Sequence, residues 1–138
     1  MGDLSIEYKL RIVSGILIQD DKVLLGLRRK TEYFAGYWSL PVGHVEDEEP
    51  FQQTLKREFA EELGLEVIKA TFFCVKIDED LSIYHQIFIV EDYNGDAVNL
   101  EPDLCSELSY FGLDNLPKKL TPITKEILTD LQQLQEKY

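Results

Sequence analysis

Residues 43–65 read GHVEDEEPFQQTLKREFAEELGL. Proline suits a first helical position and glycine a helix stop, so the stretch predicts a helix that starts at Pro50 and closes before Gly64. Phe51, Leu55, Phe59 and Leu63 recur at a spacing of four and give that helix an apolar stripe to bury. At roughly 100° per residue, Glu58 and Glu62 fall at the stripe's margin beside Phe51, with Glu61 a little further round. The pairs Glu58/Glu61 and Glu58/Glu62 bring like charges together, each costing about 0.2–0.5 kcal/mol. Glu61 and Glu62 also stand near the helix C-terminus, where the macrodipole disfavours anions. A cation seated there is the simplest reason for a sequence to accumulate these penalties in one place.

Upstream, residues 10–18 are rich in Ile, Val and Leu, and Asp20-Asp21 supplies a turn before a second apolar run at residues 23–27. This predicts two strands joined by a tight connection. Downstream, residues 70–77 and 83–90 carry strand composition with Asp78-Glu79-Asp80 between them. Asn94-Gly95 is a further turn signal, and residues 108–111 form another expected strand. Thr121 can cap and Pro122 can start a last helix, with Ile123, Ile127, Leu131 and Leu134 on its apolar face. Strands around one central helix and before a terminal one predict an α+β fold, a mixed sheet sandwiched between helices in an α/β/α arrangement.

With 138 residues and 44% hydrophobic content, the expectation is a single domain over residues 1–138. Lys plus Arg number 14 against 26 Asp plus Glu, and the net charge of −12 argues against a nucleic-acid polymer as partner. A small phosphorylated ligand remains compatible if metal ions bridge it to the carboxylates. Cys74 and Cys105 show no metal-ligand spacing and read as reduced thiols. No apolar run approaches the roughly 18 residues of a membrane span. The start of the chain lacks the pattern of a secretion signal, and Met1-Gly2 is a poor myristoylation start because Ile6 stands where that motif wants Ser or Thr. The expectation is a cytoplasmic protein, monomeric or homodimeric, with no membrane partner.

Written as a pattern, the opening stretch is G-x5-E-x7-R-E-U-x-E-E-x-G-U, with U a bulky apolar residue, filled by Gly43, Glu49, Arg57, Glu58, Phe59, Glu61, Glu62, Gly64 and Leu65. This resembles the Nudix box, the signature of hydrolases that cleave a nucleoside diphosphate linked to another group. Trp38, Leu40, Pro41 and Gly43 resemble the W-x-L-P-x-G segment that precedes it in that family. The chemistry agrees: clustered carboxylates suit Mg²⁺ or Mn²⁺, hard cations that screen a pyrophosphate's charge and activate water. Displacement at phosphorus needs positioning more than a protein nucleophile, and the sequence has no GxSxG or Cys/His arrangement.

The resemblance implies Glu58, Glu61 and Glu62 as metal ligands, with the backbone carbonyl of Gly43 completing the site, and Arg57 and Glu49 orienting the carboxylates. The general base is a box glutamate or Glu101, whose segment Asn99-Leu100-Glu101-Pro102 resembles the N-x-E-P loop of nucleoside triphosphate diphosphatases in the family. Arg28 or Arg29, in the basic cluster ending at Lys30, is the expected phosphate contact. His44 either reaches a phosphate or packs at the loop, and His85 reads as a satisfied strand histidine. The implied activity is metal-dependent hydrolysis of a nucleoside triphosphate to the monophosphate and pyrophosphate, as in the MutT-like branch. Nucleotide sugars, ADP-ribose and dinucleoside polyphosphates stay open as substrates, and a non-catalytic nucleotide-binding module is the competing class. Lys118-Lys119-Leu120-Thr121 stands after Pro117 where some oxidised-purine hydrolases carry an acidic pair, so 8-oxo-dGTP selectivity is not implied.

Overall fold

The computed structural model describes residues 4–29 and 34–137; Met1-Gly2 and Lys30, both weighed above, lie outside the described residues. The chain divides into two compact units, the first drawn from residues up to Leu17 and from Pro41–Leu100, the second from Ile18–Leu40 and from Glu101 onward.

In the first unit, a 3-10 turn at Leu4–Glu7 precedes β1 (Leu10–Gln19), whose run up to Leu17 pairs in parallel with β6 (Ile83–Asn94). Antiparallel to the same stretch lies β4 (Val42–His44), with Gly43 opposite Val13. A long hairpin joins β5 (Glu66–Asp78) to β6. Its turn is closed by the Asp78 side chain accepting from the Leu81 N–H at 3.0 Å, with Ser82 at φ 54°. Helix α1 (Phe51–Leu63) buries Thr54, Leu55, Phe59 and Leu63. Full burial of each of the three apolar side chains contributes roughly 1.5–3 kcal/mol. The helix seats closely on β1 at Gly15, where a Cβ would stand 2.5 Å from the Phe59 ring and 3.0 Å from Leu55.

Both ends of α1 show how the sequence sets it. Pro50 has extended backbone, φ −63° and ψ 144°, so it is the residue before the helix and Phe51 is the first helical one. The proline fixes φ without committing ψ, and here ψ stays extended. At the other end Gly64 is left-handed, φ 68° and ψ 24°, a conformation that glycine takes without steric cost. The carbonyls of Glu62 and Leu63 accept from the N–H groups of Leu100 and Val98 at 2.9 and 3.0 Å, so residues 98–100 are tied to the helix end. Asn94-Gly95 accordingly ends β6, with Gly95 at φ 103°, and sends the chain to α1 without making a hairpin.

In the second unit, Ile18 and Gln19 of β1 pair with Val23 and Lys22 of β2 (Lys22–Arg28). The two-residue turn between them holds Asp20 and Asp21 at φ 53° and 62°, which the short polar side chain of Asp tolerates. Antiparallel to β2 are β3 (Trp38–Ser39) and β7 (Cys105–Gly112). The Trp38 and Phe111 rings meet edge to face at 4.8 Å. Helix α2 (Pro122–Lys137) follows Thr121, whose hydroxyl bonds that of Thr124 at 2.7 Å. Its buried positions are Thr124, Ile127, Leu128 and Leu131; Leu134, expected on that face, is 41% exposed, and Ile123 is half-buried.

Mixed parallel and antiparallel pairing with two helices is the α+β class expected. Cys74 and Cys105 are not joined in a disulfide. Among the described residues, no helix is long and apolar enough to cross a membrane.

Candidate active site

Arg57 organises the acidic end of α1. Its Nε donates to Glu49 Oε2 and its Nη2 to Glu49 Oε1, each at 2.9 Å. This forked pairing fixes a guanidinium's orientation as well as its place. From there Nη1 reaches Glu58 Oε1 at 2.9 Å and Glu61 Oε2 at 3.4 Å. Nη2 also donates to the His44 carbonyl at 3.1 Å, and Glu46 Oε1 lies 3.8 Å from Nη1. The Glu49 and Glu58 side chains are only 11% and 14% exposed, while Glu61 is 57% exposed. One guanidinium thus holds carboxylates from the loop before the helix and from two of its turns.

Glu49 gains the most from this. The Arg57 hydrogen bonds, supported by the Thr54 hydroxyl, hold its carboxyl at about 2, well below the usual carboxylate range. Arg57 is raised above the ordinary guanidinium value in return, chiefly by its bond to Glu49.

Gly43 explains how Glu58 comes so near the sheet. A Cβ built on Gly43 would sit 2.2 Å from Glu58 Cγ, 2.8 Å from its Cβ and 2.9 Å from its Cδ. The glycine is therefore required by close approach: any side chain on β4 at this point would occupy the place of the Glu58 stem. His44 is exposed, and what it supplies to the cluster is its main-chain carbonyl.

The carboxylates here bind the guanidinium, and among the described residues no three His, Cys, Asp or Glu side chains converge on one point. As a donor set, Glu58, Glu61 and Glu62 with the Gly43 carbonyl are all oxygen, the type a hard divalent cation takes. By donor type this set suits such an ion, and the cradle at Gly43 keeps one of its members, Glu58, against that backbone. Glu62 is half-buried.

Arg28, Arg29 and Glu101 belong to the second unit. Arg28 ends β2 opposite Cys105, half-buried, and burial lowers its guanidinium from the ordinary value. Arg29 is exposed and its N–H donates to the Leu104 carbonyl. The Glu101 carbonyl accepts from the Leu104 and Cys105 N–H groups, each at 3.0 Å, which fixes its turn at the start of β7.

His85 is the satisfied strand histidine. It is 4% exposed, and its Nε2 shares a 2.7 Å hydrogen bond with the Ser14 hydroxyl. Burial pushes its imidazole down to about 4. Sequence reasoning missed Thr54, fully buried on α1 and bonded to Glu49 at 2.6 Å. Its only signal was a hydroxyl beside the apolar stripe, three residues before Arg57.

An α+β fold carrying an arginine-organised glutamate cluster is the arrangement expected of hydrolases that work on phosphate anhydrides. A NUDIX domain model matches residues 9–131, and the chain belongs to the Nudix family of pyrophosphohydrolases. An 8-oxo-dGTP diphosphatase of Buchnera aphidicola is 31% identical over 130 residues, 89% of this chain and 93% of that protein. An ADP-ribose pyrophosphatase of Methanocaldococcus jannaschii is 32% identical over 110 residues, 77% of this chain and 63% of its own length. The crystal structure of a MutT NUDIX hydrolase from Burkholderia pseudomallei matches with a TM-score of 0.80 at 31% identity, covering 87% of this chain and 95% of that one. Fold and enzyme class agree with the reading of the sequence.

Proposed function

We propose that this chain hydrolyses a nucleoside triphosphate to the monophosphate and pyrophosphate with Mg²⁺, for which Mn²⁺ can substitute. The observation that carries the reading is the Arg57 hub, which gathers Glu49, Glu58 and Glu61 beside the Gly43 cradle. The relative named 8-oxo-dGTP diphosphatase supports the triphosphate class, and the family match running through both units supports treating the chain as one domain.

In this reading Glu58, Glu61, Glu62 and the Gly43 carbonyl would hold the ion, which when bound would screen the phosphates' charge and make the attacking water easier to deprotonate. Arg57 and Glu49 keep those carboxylates in place. Arg28 or Arg29 contacts phosphate oxygens, and the exposed His44 side chain is a further candidate. The water oxygen bonds to one phosphorus as the bridging oxygen leaves with the other, and the water's proton passes to a box glutamate or to Glu101. Residues 98–100, anchored on the carbonyls of Glu62 and Leu63, hold the chain immediately before Glu101.

The relative named ADP-ribose pyrophosphatase favours ADP-ribose as the second substrate class to test. The experiment is a panel of nucleoside triphosphates, 8-oxo-dGTP among them, with ADP-ribose, nucleotide sugars and dinucleoside polyphosphates, products identified in Mg²⁺ or Mn²⁺. Monophosphate plus pyrophosphate from a triphosphate, abolished by chelator, is the expected result. Preference for ADP-ribose would overturn the substrate class, and no hydrolysis of any compound would overturn the catalytic reading. Glu61→Gln should lower kcat by roughly 10²-fold or more while the protein stays folded, and wild-type turnover would remove Glu61 from the site.

A further inference from the structure

We infer that Thr54 is a positioning residue of the glutamate–arginine cluster, holding Glu49 in the orientation that grips Arg57. The inference rests on the reading of that cluster as the reaction centre, but its geometry can be tested separately.

Thr54 is completely buried in the first half of α1, yet it keeps a hydroxyl. That hydroxyl has one proton to give and two acceptors near it: Glu49 Oε1 at 2.6 Å and the Pro50 carbonyl at 3.3 Å. The nearer acceptor is an ionised carboxylate, which takes the stronger bond. Glu49 Oε1 then has the hydroxyl and Arg57 Nη2 as close donors, with the Glu46 N–H further off at 3.4 Å.

The need for this extra donor follows from where Glu49 sits. It lies on the loop before α1, outside the regular helix, so helical geometry does not fix its side chain. Its charged partner, Arg57, is shared with Glu58 and Glu61. A neutral donor anchored in the buried face of the helix resolves that competition, because it bonds Glu49 without being drawn to the other carboxylates. The order of contacts is Thr54 to Glu49, Glu49 to Arg57, and Arg57 to Glu58 and Glu61. Sequence spacing encodes it, since Thr54 stands five residues after Glu49 and three before Arg57. The Thr54 hydroxyl bonds Glu49 and lies near the Pro50 carbonyl, so it acts on Glu58 and Glu61 through the two residues between.

Thr54→Val keeps the shape and burial of the side chain and removes the donor, while Thr54→Ser keeps the donor and removes a methyl. Three quantities separate a positioning role from mere packing. In ¹⁵N NMR of the protein without substrate or metal, the Arg57 Nε–H should be protected from exchange in the wild type, exposed in Thr54→Val and protected again in Thr54→Ser. Mn²⁺ binding, followed by water proton relaxation, and kcat should each fall by about 10-fold or more in Thr54→Val, with KM changed less, and both should recover in Thr54→Ser. Retained protection of Arg57 in Thr54→Val would overturn the inference. Equal loss in both variants would also overturn it, because the methyl and not the hydroxyl would then matter. If the wild type bound no Mn²⁺ and hydrolysed nothing, the reading of the site would fail, while the Arg57 signal would still decide the role of Thr54.

Discussion

Gly43→Ala tests the closest approach in the site. The added Cβ would stand 2.2 Å from Glu58 Cγ, whereas ordinary contact begins at 3.4 Å, so that carbon has to retreat by about 1.2 Å (3.4 less 2.2). A rotamer change alone does not clear the clash, because Glu58 Cβ, fixed by the helix backbone, would also be only 2.8 Å away. Either α1 tilts or β4 moves, and β4 is held at Gly43 by its pairing with Val13 of β1. Overpacking of this kind costs about 1–3 kcal/mol, which for a chain of this length lowers Tm by roughly 3–10 °C. The Glu58 carboxylate moves with its stem, and a misplacement of about 1 Å at a reacting centre costs on the order of 10²-fold in rate. Thermal unfolding without metal or substrate reads the first effect, and pyrophosphate release at saturating Mg²⁺ and nucleotide reads the second. Wild-type Tm together with wild-type kcat would refute the reasoning, since the side chain would then have found room the structure does not offer.

Arg57→Lys retains charge but loses the fork to Glu49. The Glu49 carboxyl should rise from about 2 toward the ordinary range in an NMR titration, and kcat should fall about 10–100-fold; an unmoved Glu49 titration would count against the fork. His85 sets a pH dependence of stability. Its folded value of about 4 lies below the ordinary 6.5, so between those values the unfolded chain takes up a proton that the native chain refuses. Stability should therefore fall as pH drops from 6.5 to 4, by roughly 3 kcal/mol in total, with no contribution above 6.5. Denaturant midpoints across that range, compared with those of His85→Asn, check it; profiles of equal slope would rule the histidine out as the cause.

What the sequence made legible was local. Helix α1 could be read because apolar spacing, Pro50 and Gly64 all act within one stretch, and the β1–β2 turn because Asp20-Asp21 is itself the turn. Strands β3 and β4 went unread: two and three residues long on either side of Leu40-Pro41, they are too short to show alternation. Asn94-Gly95 signalled a turn correctly, but no local feature says that the strand after it, β7, pairs with β2. The same division runs through the site. Glu58 and Glu61 stood out by their helical spacing, Glu49 and Arg57 took their roles from the resemblance to the Nudix box, and the structure joins all four through one guanidinium. Thr54 was not found, because a hydroxyl in mid-helix gains its meaning only when residues 46–49 fold back over the helix start.

The electrostatics of the cluster leave a place for the proposed ion beside Arg57. Four carboxylates, those of Glu46, Glu49, Glu58 and Glu61, lie within 4.0 Å of this guanidinium. A charge of +1 against −4 leaves −3 before Glu62 is counted. The division of labour follows burial: Arg57 spends its fork on Glu49, which is 11% exposed and held far below the carboxylate range, and gives single bonds to Glu58 and to the exposed Glu61. Neutralising Glu49 first leaves the excess charge on the helix glutamates, of which Glu58 stands by Gly43. An arginine placed to cancel the cluster would pair most closely with the glutamates of the proposed metal site. This one gives two bonds to the glutamate outside it and one each to Glu58 and Glu61, which is the arrangement expected if its task is to orient ligands and leave their charge for a divalent cation to meet.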